Sequence, residues 1–185
     1  MSGNLRVHGG EAGGRRLLAP PDIRPSEGRV KLAIFNMLGD LRWVARALDL
    51  CAGSGAFGIE ALSRGAGEAT FVDRSPRSID SIRRNLAALG YGTRSQVRRD
   101  EVVRFCEQQA AFVRTCDLLF CDPPYNDPVL PRLLQLLDRA TAAEALVVVE
   151  HGARVDLPAL ARLRPERQRR YGDTQVTILQ AAEEA

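Results

Sequence analysis

The stretch Asp49-Leu50-Cys51-Ala52-Gly53-Ser54-Gly55-Ala56-Phe57-Gly58 decides how this 185-residue chain is read. It closes an apolar run, Ala47-Leu48-Asp49-Leu50-Cys51, that reads as a buried strand, and it opens a helical pattern near residues 55–64. Gly53, Gly55 and Gly58 satisfy G-x-G-x-x-G between the two. Glycines so placed let the backbone come close to a ligand at the start of the helix. Asp73 lies twenty residues past Gly53, at the end of the next strand-like run, Ala69-Thr70-Phe71-Val72-Asp73. An acid there can hold two ribose hydroxyls, so the pattern predicts an adenosine-containing cofactor. The loop alone leaves open which one. A nicotinamide dinucleotide would set its pyrophosphate on the helix N-terminus, whereas S-adenosylmethionine carries no phosphate.

Outward from this unit the chain alternates. Ser75-Pro76 opens a second helix, with Ser75 as cap, Pro76 at the first position, Ile79, Ile82, Leu86 and Leu89 as the apolar face and Gly90 as the stop. A third strand is expected near Ser95–Arg98, a helix over about 101–110, a fourth strand over 116–121 and a helix over about 128–139. Leu146–Glu150 reads as a fifth strand and Leu157–Leu163 as a short helix. Two strand-like runs around Gly172-Asp173, within 166–182, read as a hairpin. Upstream, residues 4–8 and 14–18 alternate weakly about glycines and suggest a small hairpin. Ser26 is a candidate cap for a helix whose apolar face is Val30, Ile34, Phe35 and Leu38 and which Gly39 ends. Strand–helix alternation of this kind predicts an α/β fold, a doubly wound and mostly parallel seven-stranded sheet with an antiparallel C-terminal pair. A small N-terminal hairpin and helix (1–40) extend a Rossmann-like core (44–182) within a single domain of 1–185.

Composition narrows the class. Hydrophobic residues make up 45% and charged residues 26%, as in soluble globular proteins. No apolar run approaches the ~20 residues of a membrane span. The first twenty residues lack the apolar segment of a signal peptide. Cys51, Cys106, Cys116 and Cys121 form no C-x-x-C pair, so reduced and mostly buried thiols in a cytoplasmic protein are expected, with no metal. The net charge of +3 hides a pattern: residues 1–46 carry eight basic and four acidic side chains, residues 47–151 twelve and fourteen, and residues 152–172 six and two. Basic flanks permit a polyanionic partner. Yet 25 of the 26 basic residues are Arg, a bias that gene composition alone could produce.

A second motif, Asp122-Pro123-Pro124-Tyr125, follows the apolar run Leu118-Leu119-Phe120-Cys121. Proline lacks an N–H and fixes φ, so the chain leaves the sheet as a stiff turn. That puts a carboxylate, rigid carbonyls and an aromatic ring at the carboxyl edge of a strand, where open α/β sheets bind ligands. Asp122 and the Pro123 carbonyl can accept hydrogen bonds from a planar amine and keep its lone pair available to attack a methyl donor. Tyr125 can stack on a base, worth ~1–3 kcal/mol. The plainer reading is a helix-capping Asp122 and a packing Tyr125. Three features favour S-adenosylmethionine over a dinucleotide. Asp49 suits the donor's ammonium and would oppose a pyrophosphate. Asp100 and Glu101 follow the third strand, where they can meet the adenine edge. The Asp-Pro-Pro-Tyr turn follows a fourth strand that neighbours the first. Taken singly, Asp49 could cap a loop and Asp100 a helix.

Together these segments resemble the amino-methyltransferases of the Rossmann-like class I group, and most closely the family of small-subunit (16S) ribosomal RNA methyltransferase D, guanine-N2 specific. The resemblance runs through Arg24-Pro25-Ser26, Arg29-Val30, Phe35-Asn36, the segment Asp49 to Ala66, Asp122-Pro123-Pro124-Tyr125 and Val148-Val149-Glu150. Gly28 departs from it, standing where the family usually has an acid, and Asp73 stands where Glu is common. The resemblance implies methyl transfer from S-adenosylmethionine to N2 of one guanine in small-subunit rRNA, within the small subunit or an assembly intermediate, by a monomer. The chain has no second domain to read sequence, and a buried base must first be extruded. The expected catalytic residues are Asp122, Pro123, Pro124 and Tyr125. The expected cofactor residues are Asp49, Cys51, Ala52, Gly53, Ser54, Gly55, Asp73, Arg74, Asp100, Glu101 and Asp122. The candidate RNA contacts are Arg6, Arg15, Arg16, Arg24, Arg29 and Lys31. The alternatives are an enzyme for a DNA base or a protein glutamine, a nicotinamide-dependent oxidoreductase, and a non-catalytic RNA-binding module.

Overall fold

Alternating apolar strands and amphipathic helices give a seven-stranded sheet with helices on both faces in a computed structural model that describes residues 5–20, 28–124 and 127–183. The elements in chain order are α1 (Gly28–Leu38), β1 (Arg46–Leu50), α2 (Ala56–Ser63), β2 (Glu68–Asp73), α3 (Pro76–Leu89), β3 (Ser95–Arg99), α4 (Val102–Gln108), α5 (Ala110–Val113), β4 (Leu118–Cys121), α6 (Val129–Ala140), β5 (Leu146–Gly152), β6 (Leu163–Tyr171) and β7 (Thr174–Ala181). The sheet order is β3-β2-β1-β4-β5-β7-β6. The first five strands run parallel, and β7 pairs antiparallel with both β5 and β6. The chain reverses its direction of travel between β1 and β4, which makes the carboxyl ends of those two strands the place for a ligand.

Two apolar layers follow from strand alternation. Ala47, Phe71, Phe120 and Val148 face α1, α2 and α3, together with Leu5, Val7 and Leu17 of the N-terminal extension. Leu48, Leu50, Val72, Leu119, Val147 and Val149 face α4 and α6. Phe35, Phe57 and Phe120 stack in the first layer, with centroids 5.3–6.3 Å apart, and join α1 and α2 to β4.

The local signals read in the sequence operate as expected at several element ends. The Ser75 hydroxyl accepts the Ser78 N–H, Pro76 begins α3, and Gly90 ends it in a left-handed conformation. Gly39 ends α1 the same way. The N-terminal hairpin is present as a single antiparallel bridge between Arg6 and Arg16. The candidate cap Ser26 lies outside the described residues.

One expected element is absent. Leu157–Leu163 is not a helix: residues 157–160 are irregular and Leu163 already begins β6. The cause is Asp138 on α6. Its carboxylate accepts the N–H groups of Ala161, Arg162 and Leu163 at 2.7–2.8 Å. Those donors are held outward from any helical ladder, and a long-range contact overrides local propensity.

Candidate active site

The glycine loop, Cys51 to Gly55, turns over the carboxyl end of β1. Gly53 and Gly55 have φ of 56° and 78°, and Cys51, a residue with a side chain, is also left-handed at 61°. A non-glycine residue there costs roughly 1–2 kcal/mol, so the surrounding contacts determine the loop shape. Those contacts are explicit. The Ala52 N–H donates to the Val72 carbonyl at 3.1 Å. The Gly53 N–H donates to Asp73 Oδ2, and the Ser75 N–H to Asp73 Oδ1, each at 2.8 Å. The Ser54 carbonyl accepts from Asn85 Nδ2 of α3 at 3.0 Å. Gly58 lies so close to Phe71 of β2 that a Cβ there would come within 2.4 Å of the ring.

Asp49 is the innermost acid. It sits beneath α2, and its Oδ2 accepts the Gly58 N–H at 2.8 Å. Its other oxygen, Oδ1, is buried with no hydrogen-bond partner among the described residues. Burial pushes the carboxyl well above the usual range; the Gly58 N–H opposes this, while Asp122 and Asp73 add to it. Three carboxylates therefore converge where β1, β2 and β4 end. The register explains why: Leu50 pairs with both Val72 and Cys121, so Cys51, Asp73 and Asp122 come one residue later on adjacent strands. Among the described residues no group of three or more His, Cys, Asp or Glu has the arrangement of a metal site. A cradle of three acids with one orphaned buried oxygen fits a cationic ligand bearing a sulfonium and an ammonium. It would repel a pyrophosphate.

Beside this cradle, Asp122-Pro123-Pro124 leaves the sheet as expected, with Asp122 half-buried and Pro123 buried. A cleft of about 230 Å³ adjoins the turn, lined by Pro123, Pro124, Asp127, Leu130, Glu150, His151 and Val155. His151 is held by Thr177 Oγ1 and the Gly152 carbonyl, each at 3.1 Å, and burial lowers its pKa. These contacts hold it in the β5–β7 pair. Burial also raises the Cys121 thiol beside the turn. Tyr125 lies outside the described residues.

Asp100 adjoins the cradle, its N–H donating to the Asp73 carbonyl at 3.1 Å. Asp100 Oδ1 accepts the Glu101 N–H at 2.8 Å and Arg104 Nε at 2.6 Å, so it anchors the start of α4 after β3. Arg74 is exposed, 3.9 Å from Glu101 and 3.8 Å from Asp127. Arg15 is tied to the last turn of α3 through the Ala88 carbonyl at 2.9 Å. Because α3 runs back from the carboxyl ends of the strands, Arg15 is carried away from the site. Arg6, Arg16 and Arg29 are partly or fully exposed, and Arg24 is outside the described residues.

Lys31 corrects the reading of it as an RNA contact. It is 1% exposed, lies 3.2 Å from Glu60 and donates to the Arg6 carbonyl at 2.7 Å. A cation so committed reaches no phosphate. Glu60, fully buried on α2, also accepts the His8 and Gly9 N–H groups at 2.8 Å and Arg64 Nε at 3.0 Å. Burial alone would push its carboxyl up, but Lys31, the His8 N–H and Arg64 together hold it below its ordinary value. This network clamps the N-terminal extension onto the glycine-loop helix. Asn85 adds a second clamp by bridging Leu18 to Ser54. Sequence reading missed both. The available signal was an acid inside the apolar run Ala56–Ser63 and an amide on the apolar face of α3.

Residues 5–180 match the family described as conserved hypothetical protein 95. The Bacillus subtilis protein YlbH is 38% identical over 179 residues, covering 94% of this chain and 97% of its own. The Escherichia coli ribosomal RNA small subunit methyltransferase D is 35% identical over 163 residues, covering 86% and 80%. The solved structure of the Escherichia coli protein yhhF superposes with a TM-score of 0.85 at 32% identity, covering 98% of this chain and 100% of that one.

Proposed function

This chain belongs to the family described as conserved hypothetical protein 95, and we propose that it is an S-adenosylmethionine-dependent methyltransferase acting on the N2 amine of a guanine in small-subunit ribosomal RNA. The observation that carries the reading is the convergence of Asp49, Asp73 and Asp122 beside the Asp-Pro-Pro turn, with Asp49 Oδ1 buried and unpartnered among the described residues. Asp49 accepts from the donor's ammonium. Asp73, already holding Gly53, uses its remaining lone pairs for the ribose hydroxyls. Cys51, Ala52, Ser54 and Gly55 form the wall over which the donor lies, while Arg74, Asp100 and Glu101 rim its adenosine end.

S-adenosylmethionine supplies an electrophilic methyl group on a sulfonium. The chain's task is to bring an amine to it in line. Asp122 and the Pro123 carbonyl accept the two N–H groups of the amine and aim its lone pair, and Asp122 can take the proton released as the new N–C bond forms. Pro124 stiffens the turn and Tyr125 stacks on the base, which rests against the proline wall of the adjoining cleft. Catalysis is mainly positioning, which can supply ~7–11 kcal/mol of the barrier. In this reading the protein works as a monomer in the cytoplasm, and the folded rRNA or ribosomal particle supplies specificity, as suits a recognition mode dependent on unpaired, splayed bases.

The test is transfer of labelled methyl to unmethylated small subunits, naked small-subunit rRNA and duplex DNA, with the product base identified. Label on guanine N2 in RNA, lost in Asp122→Ala while S-adenosylhomocysteine binding persists, is expected. Label on DNA or on another base would overturn the substrate. Full activity in Asp122→Ala would overturn the catalytic role.

A further inference from the structure

The strand β6, Leu-Arg-Pro-Glu-Arg-Gln-Arg-Arg-Tyr, is the outer edge of the sheet, and every residue from Arg164 to Arg170 is exposed. Its four arginines are not equivalent. Arg167 is committed to the fold, donating to the Met37 carbonyl at 2.5 Å and lying 3.1 Å from Glu166. Arg164, Arg169 and Arg170 reach only backbone carbonyls, of Leu160, Gln168 and Gly172, and no carboxylate among the described residues neutralises them. Elsewhere Arg42, Arg46, Arg64, Arg84, Arg94, Arg104 and Arg132 each pair with an acid.

The register ties this charge to the site. Cys121 pairs with Val149, so Asp122 lies level with Glu150; Glu150 pairs with Val176, and Val176 with Arg169. Three strand spacings of about 4.8 Å put the Arg169 backbone on the order of 14 Å from that of Asp122, at the same height on the sheet. Exposed Arg154 follows the carboxyl end of β5, on a loop tied to the β6–β7 turn by the Ala153 N–H donating to the Asp173 carbonyl at 2.8 Å. A cationic track therefore leads from the cleft beside the Asp-Pro-Pro turn to the sheet edge.

We propose that Arg154, Arg169 and Arg170 near the carboxyl end of the sheet, extended along the edge strand by Arg164, which lies level with Gln180 and Leu146 at the other end, form the docking surface for the RNA backbone flanking the target base, in place of the N-terminal basic residues. The proposal rests on the rRNA reading above and adds to it which face the polyanion covers. Arginine suits the role because its guanidinium is always charged and forks onto phosphate. Such contacts fix register on the nucleic acid without reading bases. Charged side chains also guard edge strands against pairing with other chains, and that role is separable by experiment.

The experiment compares the full-length protein with Arg164→Gln/Arg169→Gln/Arg170→Gln and with a charge-matched control, Arg83→Gln/Arg84→Gln/Arg98→Gln, on exposed positions elsewhere. Methyl transfer to unmethylated small subunits is measured across a salt series, with S-adenosylhomocysteine affinity and melting temperature as checks on the fold. The expected result is a KM at least tenfold higher for the β6 variant, kcat within twofold, and a salt slope lower by about three, one for each phosphate that no longer meets an arginine. The control should match wild type. Equal KM and salt slope in both triple variants would overturn the proposal, as would a β6 variant that differs from wild type only in self-association. Should wild type transfer no methyl to any RNA, the rRNA reading fails. Filter binding of small-subunit rRNA then decides this proposal separately: retention by wild type and its loss in the β6 variant uphold it, and equal retention overturns it.

Discussion

The Gly53 N–H donates to Asp73 Oδ2 at 2.8 Å, so the acid that ends β2 holds the glycine loop that follows β1. The twenty-residue spacing between them spans the loop, α2 and β2, and the fold closes it into a direct contact. Asp73 thus shapes the cradle before any ligand arrives, and the ribose hydroxyls proposed for it would meet a carboxylate already oriented by two backbone donors.

Asp49→Asn keeps an oxygen for the Gly58 N–H but removes the charge. Binding of S-adenosylhomocysteine by calorimetry is expected to weaken by roughly 1.5–3 kcal/mol, about 10- to 150-fold, with little change in melting temperature. The wild-type affinity should also rise with pH. The Asp49 carboxyl is raised by burial, and a cationic ligand selects its ionised form, so binding below that raised pKa releases a proton. Calorimetry in buffers of different ionisation enthalpy would detect that proton. An affinity independent of pH and equal in Asp49→Asn would remove the residue from the donor site.

Glu60→Gln leaves Lys31 as a buried cation without its counter-charge. Urea unfolding is expected to show a loss of about 3 kcal/mol. Lys31→Met combined with Glu60→Gln should recover part of it, because the orphaned charge is gone. A double variant whose loss equals the sum of the two single losses would show that no coupling exists.

Gly58→Ala forces a methyl into the ring of Phe71, where a Cβ would lie 2.4 Å from the nearest ring carbon, far inside van der Waals range. The expected cost is about 1–3 kcal/mol of stability. Because the Gly58 N–H also holds Asp49, donor affinity should fall in the same variant. Substituting Phe71→Leu alongside it should relieve the stability loss more than the affinity loss.

Asp138→Ala removes the acceptor for three N–H groups at the entry to β6, and a loss of about 3 kcal/mol is expected. Burial acts to raise this carboxyl, but the three donors outweigh it and hold the group below its ordinary value of 3.8. Its contribution is therefore present above about pH 4 and lost as pH falls through the lower folded-state value. The gap in stability between wild type and variant should shrink in that acid range, as measured by denaturant unfolding at several pH values.

What was legible in the chain was whatever short-range chemistry controls. The caps Ser75 and Gly90, the left-handed glycines of the loop, the stiff Asp-Pro-Pro exit and the apolar runs of β1, β4 and β5 each follow from a residue and its near neighbours. The doubly wound, mostly parallel sheet with its fourth strand beside the first also followed, since alternating strands and helices leave few ways to wind. The misreadings both involve partners far away in sequence. Residues 157–163 look helical until Asp138, more than twenty positions earlier, takes the N–H groups at the end of the segment. Lys31 looks like a surface cation until Glu60 and the Arg6 carbonyl enclose it.

The sequence by itself therefore determined the sheet, the loop and the acids that end its strands, because periodicity and turn chemistry act over a few residues. Only the tertiary structure decided which charges are free to meet a ligand. Burial and long-range pairing commit Lys31 and Arg167 to the fold. They leave Asp49 Oδ1 without a hydrogen-bond partner, and Arg169 and Arg170 without a paired acid, among the described residues, and the energy of a charge depends on what surrounds it in space.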